Sequence, residues 1–223
     1  ATGRTASIAG VTIRNGYLAS GDGGGIRSAG TLSLSNSVVS GNTAFVGGAI
    51  ESAGPLTLTA TVIQSNNASY AGGGIYMDGG TLTMTDSVIS GNTSPIGAGG
   101  GLLLDTAAGV LDRTTVSGNS SGNWGGGIEA HRGSLVLRNC TISGNHAAYH
   151  GGGIFVWGSD ATVNIYSSSI LSNEADADAD VNGGLGGGVY NSAATVNVRN
   201  SLIAGNYLAG LPDYDDCYGT IGS

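Results

Sequence analysis

The chain has 223 residues, 43 of them Gly, with only 10% charged and 6% aromatic, and its formal net charge is −8. With 15 acidic residues against 7 basic ones, all of them Arg, the acidic balance argues against a nucleic-acid partner, because phosphate binding needs clustered Lys and Arg. No apolar run approaches the roughly 20 residues of a membrane-spanning helix, so no transmembrane segment is expected, and 40% hydrophobic content on a short period suffices for a continuous core.

The opening stretch ATGRTASIAG has neither the charged nor the apolar region of a signal peptide. It runs into SIAGVTIRNG, a partial copy of a unit that then recurs down the chain. A glycine-plus-aliphatic junction precedes Ile26, Ile50, Ile75, Leu102, Ile128, Ile154 and Val189 at spacings of 24, 25, 27, 26, 26 and 35. An asparagine closes each unit: Asn42, Asn66, Asn92, Asn119, Asn145, Asn173 and Asn206. A period in the twenties marks a solenoid. The leucine-asparagine consensus of leucine-rich repeats is absent, and no 3.6-residue apolar spacing supports helical repeats.

Within a unit the alternation is that of strands. Ile75-Tyr76-Met77-Asp78, Leu82-Thr83-Met84-Thr85 and Leu135-Val136-Leu137-Arg138 each send alternate residues to opposite faces. A third short strand runs through Val88-Ile89. Three short strands per turn, stacked parallel, predict an all-β, right-handed parallel β-helix of seven to eight coils of 24–27 residues, one domain over residues 1–223. Glycines 72–74 sit where the chain turns between strands, and the closing asparagines stack as a ladder that satisfies backbone groups of adjoining coils.

The stretches GVTIRNG (10–16), GGGIYMDGGTLTMTDSVISGN (72–92) and DCYGTIG (216–222) resemble the right-handed parallel β-helix repeats of bacterial surface and secreted proteins. Gly47-Gly48-Ala49-Ile50 is similar to the GGAI motif of polymorphic outer-membrane repeats, without the FxxN partner motif of that family. The resemblance implies a secreted or cell-surface location and a polysaccharide or host-surface glycan as partner. It also implies that adhesins and polysaccharide lyases or hydrolases share this fold.

Candidate chemistry sits on the outward columns. The residue after each inward aliphatic reads Arg27, Glu51, Tyr76, Leu103, Glu129, Phe155, Tyr190, and two further on lie Asp78, Asp105, His131 and Trp157. If the chain is an enzyme, Asp78, Asp105, Glu129 and His131 are its catalytic candidates, since carboxylates on adjacent coils lie about 4.8 Å apart, near the separation of retaining glycosidase pairs. The plainer reading of these acids, solubilising charge on a sheet face, is preferred. Tyr76, Phe155, Trp157 and Tyr190 form an outward aromatic stripe of the kind on which sugar rings stack. Lyases on this fold use a basic residue, and only Arg138 and Arg199, with Arg113 nearby, lie on a sheet face. His146 and His150 flank a turn and are expected to cap it.

The spacing of 35 comes from an insertion at residues 174–185, EADADADVNGGL. Glu174, Asp176, Asp178, Asp180 and Asn182 alternate every second residue before a Gly pair, which suits the oxygen-rich coordination of Ca²⁺, although the terminal bidentate Glu of an EF-hand loop is missing. Cys140, on a strand of the fifth coil, and Cys217, in the tail at 207–223, permit one disulfide. Neither end shows a capping helix, which points to a fragment of a longer chain or to head-to-tail self-association into a filament. The leading functional reading is a non-enzymatic adhesive or carbohydrate-binding module. A polysaccharide lyase or hydrolase comes second, and a structural rod third.

Overall fold

A computed structural model describes residues 3–176, 183–210 and 215–222, and the regular structure there is entirely strand. The chain winds as a parallel β-helix, as its period requires. One coil shows the plan: Ile75–Asp78, Thr81–Thr85, Val88–Ser90 and Thr93–Ser94. Each strand pairs in parallel with its counterparts in neighbouring coils, which generates three eight-stranded sheets and one of seven strands. We number the sheets first to fourth in the order of these four strands. The fourth lies beyond the three expected strands per coil, and it forms where the chain stays extended for a few residues after each ladder asparagine.

Register places like residues on like. In the first sheet Ile50, Ile75, Leu102, Ile128, Ile154 and Val189 pair successively. In the second, Leu58, Met84, Leu111, Leu137 and Ile165 do the same. All of these side chains are fully buried. Burying each contributes about 1.5–3 kcal/mol relative to exposure, and each coil stacks only on its neighbours, so stability accumulates along the rod.

The glycines at the junction are required by two different constraints. Gly72 has a φ of +60°, where a side chain is strained. At Gly73, a Cβ would lie 2.3 Å from the Gly100 carbonyl oxygen of the next coil. The chain can therefore close this corner and still stack at strand spacing only without side chains.

The asparagine ladder is present as expected. Asn92 donates from its backbone N and its Nδ2 to Asn119 Oδ1, at 2.9 and 3.0 Å, and Asn119 donates to Asn145 Oδ1 in the same way. The series ends on an aspartate. Asn206 donates both groups to Asp216 Oδ1, each at 2.9 Å. A second ladder runs through the corner between the second and third sheets, where Ser37, Thr61, Ser87, Thr114, Cys140, Ser168 and Ser201 occupy equivalent positions. Thr61 N donates to Ser87 Oγ at 3.1 Å, Cys140 N to Ser168 Oγ at 3.0 Å, and Ser168 N to Ser201 Oγ at 3.0 Å.

A carboxyl-floored groove as the candidate functional site

Pairing in the first sheet aligns Arg27, Glu51, Tyr76, Leu103, Glu129, Phe155, Tyr190 and Tyr218 in one outward column. Alternation makes this column outward, but not exposed. Leu103, Glu129 and Phe155 are only 5%, 5% and 4% accessible. The turn leading from the fourth sheet back to the first folds over them, and Tyr70, Ile96, Trp124 and His150 on successive coils form its rim. Between that rim and a far wall of Asp105, His131 and Trp157 lies a groove of about 800 Å³, floored by the outward column.

The rings are arranged differently from a flat stripe. Trp124 stacks on Phe155 at 5.4 Å, Phe155 on Tyr190 at 5.1 Å and Tyr190 on Tyr218 at 4.9 Å, all within 12° of parallel. His150 adds a further stacked ring against Tyr190 at 4.5 Å. The faces of Phe155 and Tyr190 are thus stacked on each other and on their neighbours. Trp157 and Trp124 remain 42% and 39% exposed. Phe45 and Tyr70 stack on each other at 5.3 Å, whereas Trp124 turns inward over the floor. Trp157 meets the edge of His131 at 4.5 Å and carries the Arg132 guanidinium 5.6 Å from its centroid.

The polar groups gather at one place. Asp105 Oδ1 lies 3.5 Å from His131 Nδ1, and the Tyr76 hydroxyl donates to Asp105 Oδ2 at 3.4 Å. Glu129 Oε2 is sealed from solvent without a hydrogen-bond partner, as is His131 Nε2. Burial, and after it the charge of Asp105, pushes the Glu129 carboxyl from its ordinary 4.5 up to about 8, so it is protonated at neutral pH. Glu51, buried in the same column, makes the contrast. Arg27 Nε donates to its Oε2 at 3.1 Å; burial still holds the Glu51 carboxyl above its ordinary value, and that cation offsets part of the upward pull. One glutamate of the column is paired into the scaffold; the other faces the groove with nothing to pair with.

Three of the four catalytic candidates therefore converge: Asp105, Glu129 and His131. Asp78 sits directly opposite Asp105 in the register but is exposed and outside the groove lining. The pair at one strand spacing is thus Asp78 with Asp105. Glu129 lies opposite Leu103, diagonal to Asp105. One strand spacing combined with two residues of rise places those two Cα atoms about 8 Å apart.

A family model described as the right-handed β-helix region matches residues 1–170. The chain belongs to the right-handed β-helix family. No curated protein and no solved structure matches it. The family match describes the β-helix in general and does not extend to the GGAI repeat type.

Other expectations for this β-helix fall outside the groove. Two of the three arginines considered as lyase bases are engaged elsewhere: Arg113 with Asp86 and Asp112, and Arg138 over the Tyr166 ring at 5.9 Å. His146 Nδ1 contacts Glu174 Oε2 at 2.5 Å across two strands of the fourth sheet, so one proposed calcium ligand already has a partner. Asp176 is buried at the following corner, and Asp178, Asp180 and Asn182 lie outside the described residues. Among the described residues no three His, Cys, Asp or Glu gather in a metal-ready group. Cys140 and Cys217 are free thiols, not a disulfide. Cys140 is buried in the corner ladder, not on a strand, with Sγ 3.1 Å from the Arg138 carbonyl oxygen, whereas Cys217 is exposed on the first sheet. Among the described residues no helix is long and apolar enough to cross a membrane.

Proposed function

We propose that this β-helix is a secreted or cell-surface glycan-binding module that holds a sugar chain in the groove of the first sheet. The observation that carries the reading is the placement of two half-open indole rings, Trp124 on the rim and Trp157 on the far wall, either side of a floor with convergent polar groups. Apolar faces with a few placed hydrogen-bonding groups are what a sugar ring needs, since it presents C–H faces and hydroxyl edges. The test is retention of the purified chain on a panel of polysaccharides, with Trp124→Ala and Trp157→Ala as controls. Retention lost in either variant supports the assignment; retention unchanged in both removes it.

A second reading, hydrolysis of the bound chain, is favoured by one observation: two carboxyls of opposite environment share the groove. Glu129, protonated, would give its proton to the glycosidic oxygen. Asp105 would take a proton from a water whose oxygen bonds to the anomeric carbon as the C–O bond breaks. Such a single displacement inverts the anomeric carbon and calls for carboxyl groups about 6.5–9.5 Å apart, which leaves room for that water. Release of reducing ends by the native chain, abolished in Glu129→Gln, would establish this reading over simple binding.

A further inference from the structure

We infer that the groove selects uncharged glycans and rejects polyuronates, with the Glu129 carboxyl acting as a hydrogen-bond donor at its floor. This deepens the glycan-binding reading and rests on it.

The first argument is the charge inventory. The groove lining includes Asp105, Glu129, His131 and His150 but no arginine, in a chain that has no lysine at all. Arg27 is held by Glu51 and Asp22 at the N-terminal end of the same column, and Arg132 lies on the Trp157 ring. A protein that seats uronic acids needs cations to meet each carboxylate. Here a uronate would meet Asp105, with Glu51 and Asp78 one or two coils away and a net charge of −8 behind them. Like charges brought together in a partly desolvated site are strongly disfavoured, which is how a binding site excludes a competitor of the same shape.

The second argument is Glu129 itself. It is 5% exposed, it lines the groove, and its Oε2 has no hydrogen-bond partner among the described residues. A buried polar atom without a partner is costly, and such atoms in native proteins usually await a ligand or water. The groups around it are consistent in what they ask. From the preceding coil Asp105 disfavours a second charge, with the Tyr76 hydroxyl turned onto Asp105. On its own strand lies His131, and on the following coils Phe155 stands beside it with His150 behind, facing Asp176. Leu103 and Phe155 flank it along the column. The carboxyl is thus held as an O–H group, able to donate to a ring or hydroxyl oxygen of a neutral sugar. On losing its proton it becomes a second repulsive charge.

The experiment uses polymers that differ only in charge. Retention of the chain is measured at pH 7 and low salt on native polyuronates and on the same polymers after methyl esterification or carboxyl reduction, beside neutral β-glucans, xylans and galactans. The expected result is retention of uncharged members at least about ten-fold tighter than their charged counterparts. Raising the pH from 7 to 9 should weaken retention of a neutral polymer by the wild type. Glu129→Gln, which keeps a donor and cannot ionise, should hold its retention across that range, and Glu129→Leu should be weaker throughout. Equal or tighter retention of the charged members would overturn the selectivity while leaving glycan binding intact. The same pH response in wild type and Glu129→Gln, with both folded by circular dichroism, would overturn the role of Glu129. Retention of no polymer at all would remove the glycan reading and this inference with it.

Discussion

Replacing Glu129 by leucine should stabilise the protein, and by an amount that depends on pH in a defined direction. The carboxyl titrates at about 8 in the fold against an ordinary 4.5, so between these values the folded chain keeps a proton that the unfolded chain has released. Below pH 4.5 both states are protonated and the side chain's stability contribution is fully present. As pH rises through 8 that contribution is lost, at about 1.4 kcal/mol per unit. The loss reaches roughly 3 kcal/mol at pH 7 and about 5 kcal/mol above pH 8. The unpartnered Oε2 adds about 1–3 kcal/mol at every pH. Leucine removes both costs and has a precedent one coil away, where Leu103 is buried in the same column. The expected gain is therefore about 1–3 kcal/mol at pH 4 and about 3 kcal/mol larger at pH 7. For a chain of this length each kcal/mol moves Tm by about 2–4 °C, so the Tm difference between variant and wild type should widen by about 6–12 °C. Thermal and urea melts followed by circular dichroism at pH 4, 7 and 9 read it directly. A difference that stays constant with pH, or a variant less stable at pH 7, would refute the claim that a neutral, unpaired carboxyl sits at the floor.

The remaining predictions concern the scaffold and the groove walls. Asn119→Ala strands the amide and backbone donors of Asn92 as well as the Ile89 carbonyl, and should cost at least about 3 kcal/mol in denaturant melts. Asp216→Ala should cost about 1–3 kcal/mol and speed hydrogen exchange at Asn206, because two donors lose one acceptor, while exchange in the central coils stays unchanged. Thiol titration without reductant should find two reactive groups in the denatured chain and only one, Cys217, in the native chain. Finding none in the denatured chain would restore the disulfide. Trp157→Ala should lower glycan retention by about ten-fold or more and leave the melting temperature within a few degrees of wild type, the signature of an exposed contact residue.

The coil and its inward residues were legible in the sequence because the physics that sets them repeats every coil. Asn92 has one side chain that can both accept from the preceding coil and donate to the next, so the position stays asparagine through seven coils, and the spelling breaks at the two ends, where Gly16 gives only its backbone N to Asn42 Oδ1 and Asp216 needs to accept but not donate. The corner ladder escaped notice for the opposite reason. Any small group with an acceptor serves there, so serine, threonine and Cys140 alternate, and no single letter repeats. Its signal was present in the spacing, which tracks that of the asparagines. The fourth sheet was missed because strands as short as Thr93–Ser94 leave no alternation to read. The groove was half legible. Alternation correctly placed Glu129, Asp105 and His131 on one outward face, but it gives the direction of a side chain and says nothing of what covers it. That cover depends on how Tyr70, Ile96, Trp124 and His150 pack over the column, a matter of turn length that differs from coil to coil.

The same division explains how a repeat protein can carry a site. In each coil the inward aliphatics, the two ladders and the junction glycines have fixed tasks, since each meets its own counterpart one strand spacing away. The outward column of the first sheet has no such task, and from Arg27 to Tyr190 its residues change at every step: arginine, glutamate, tyrosine, leucine, glutamate, phenylalanine, tyrosine. Where a scaffold need arises in that column it is met locally, as Arg27 meets Glu51. Glu129 lacks that compensation, although Arg27, four coils earlier, shows that the column can supply a counter-charge. A polar group buried at a cost to stability, with its neighbours arranged to keep it neutral, is understandable if its partner arrives from outside. The groove lies above it between the rim and the far wall, and it is there that a ligand should be sought.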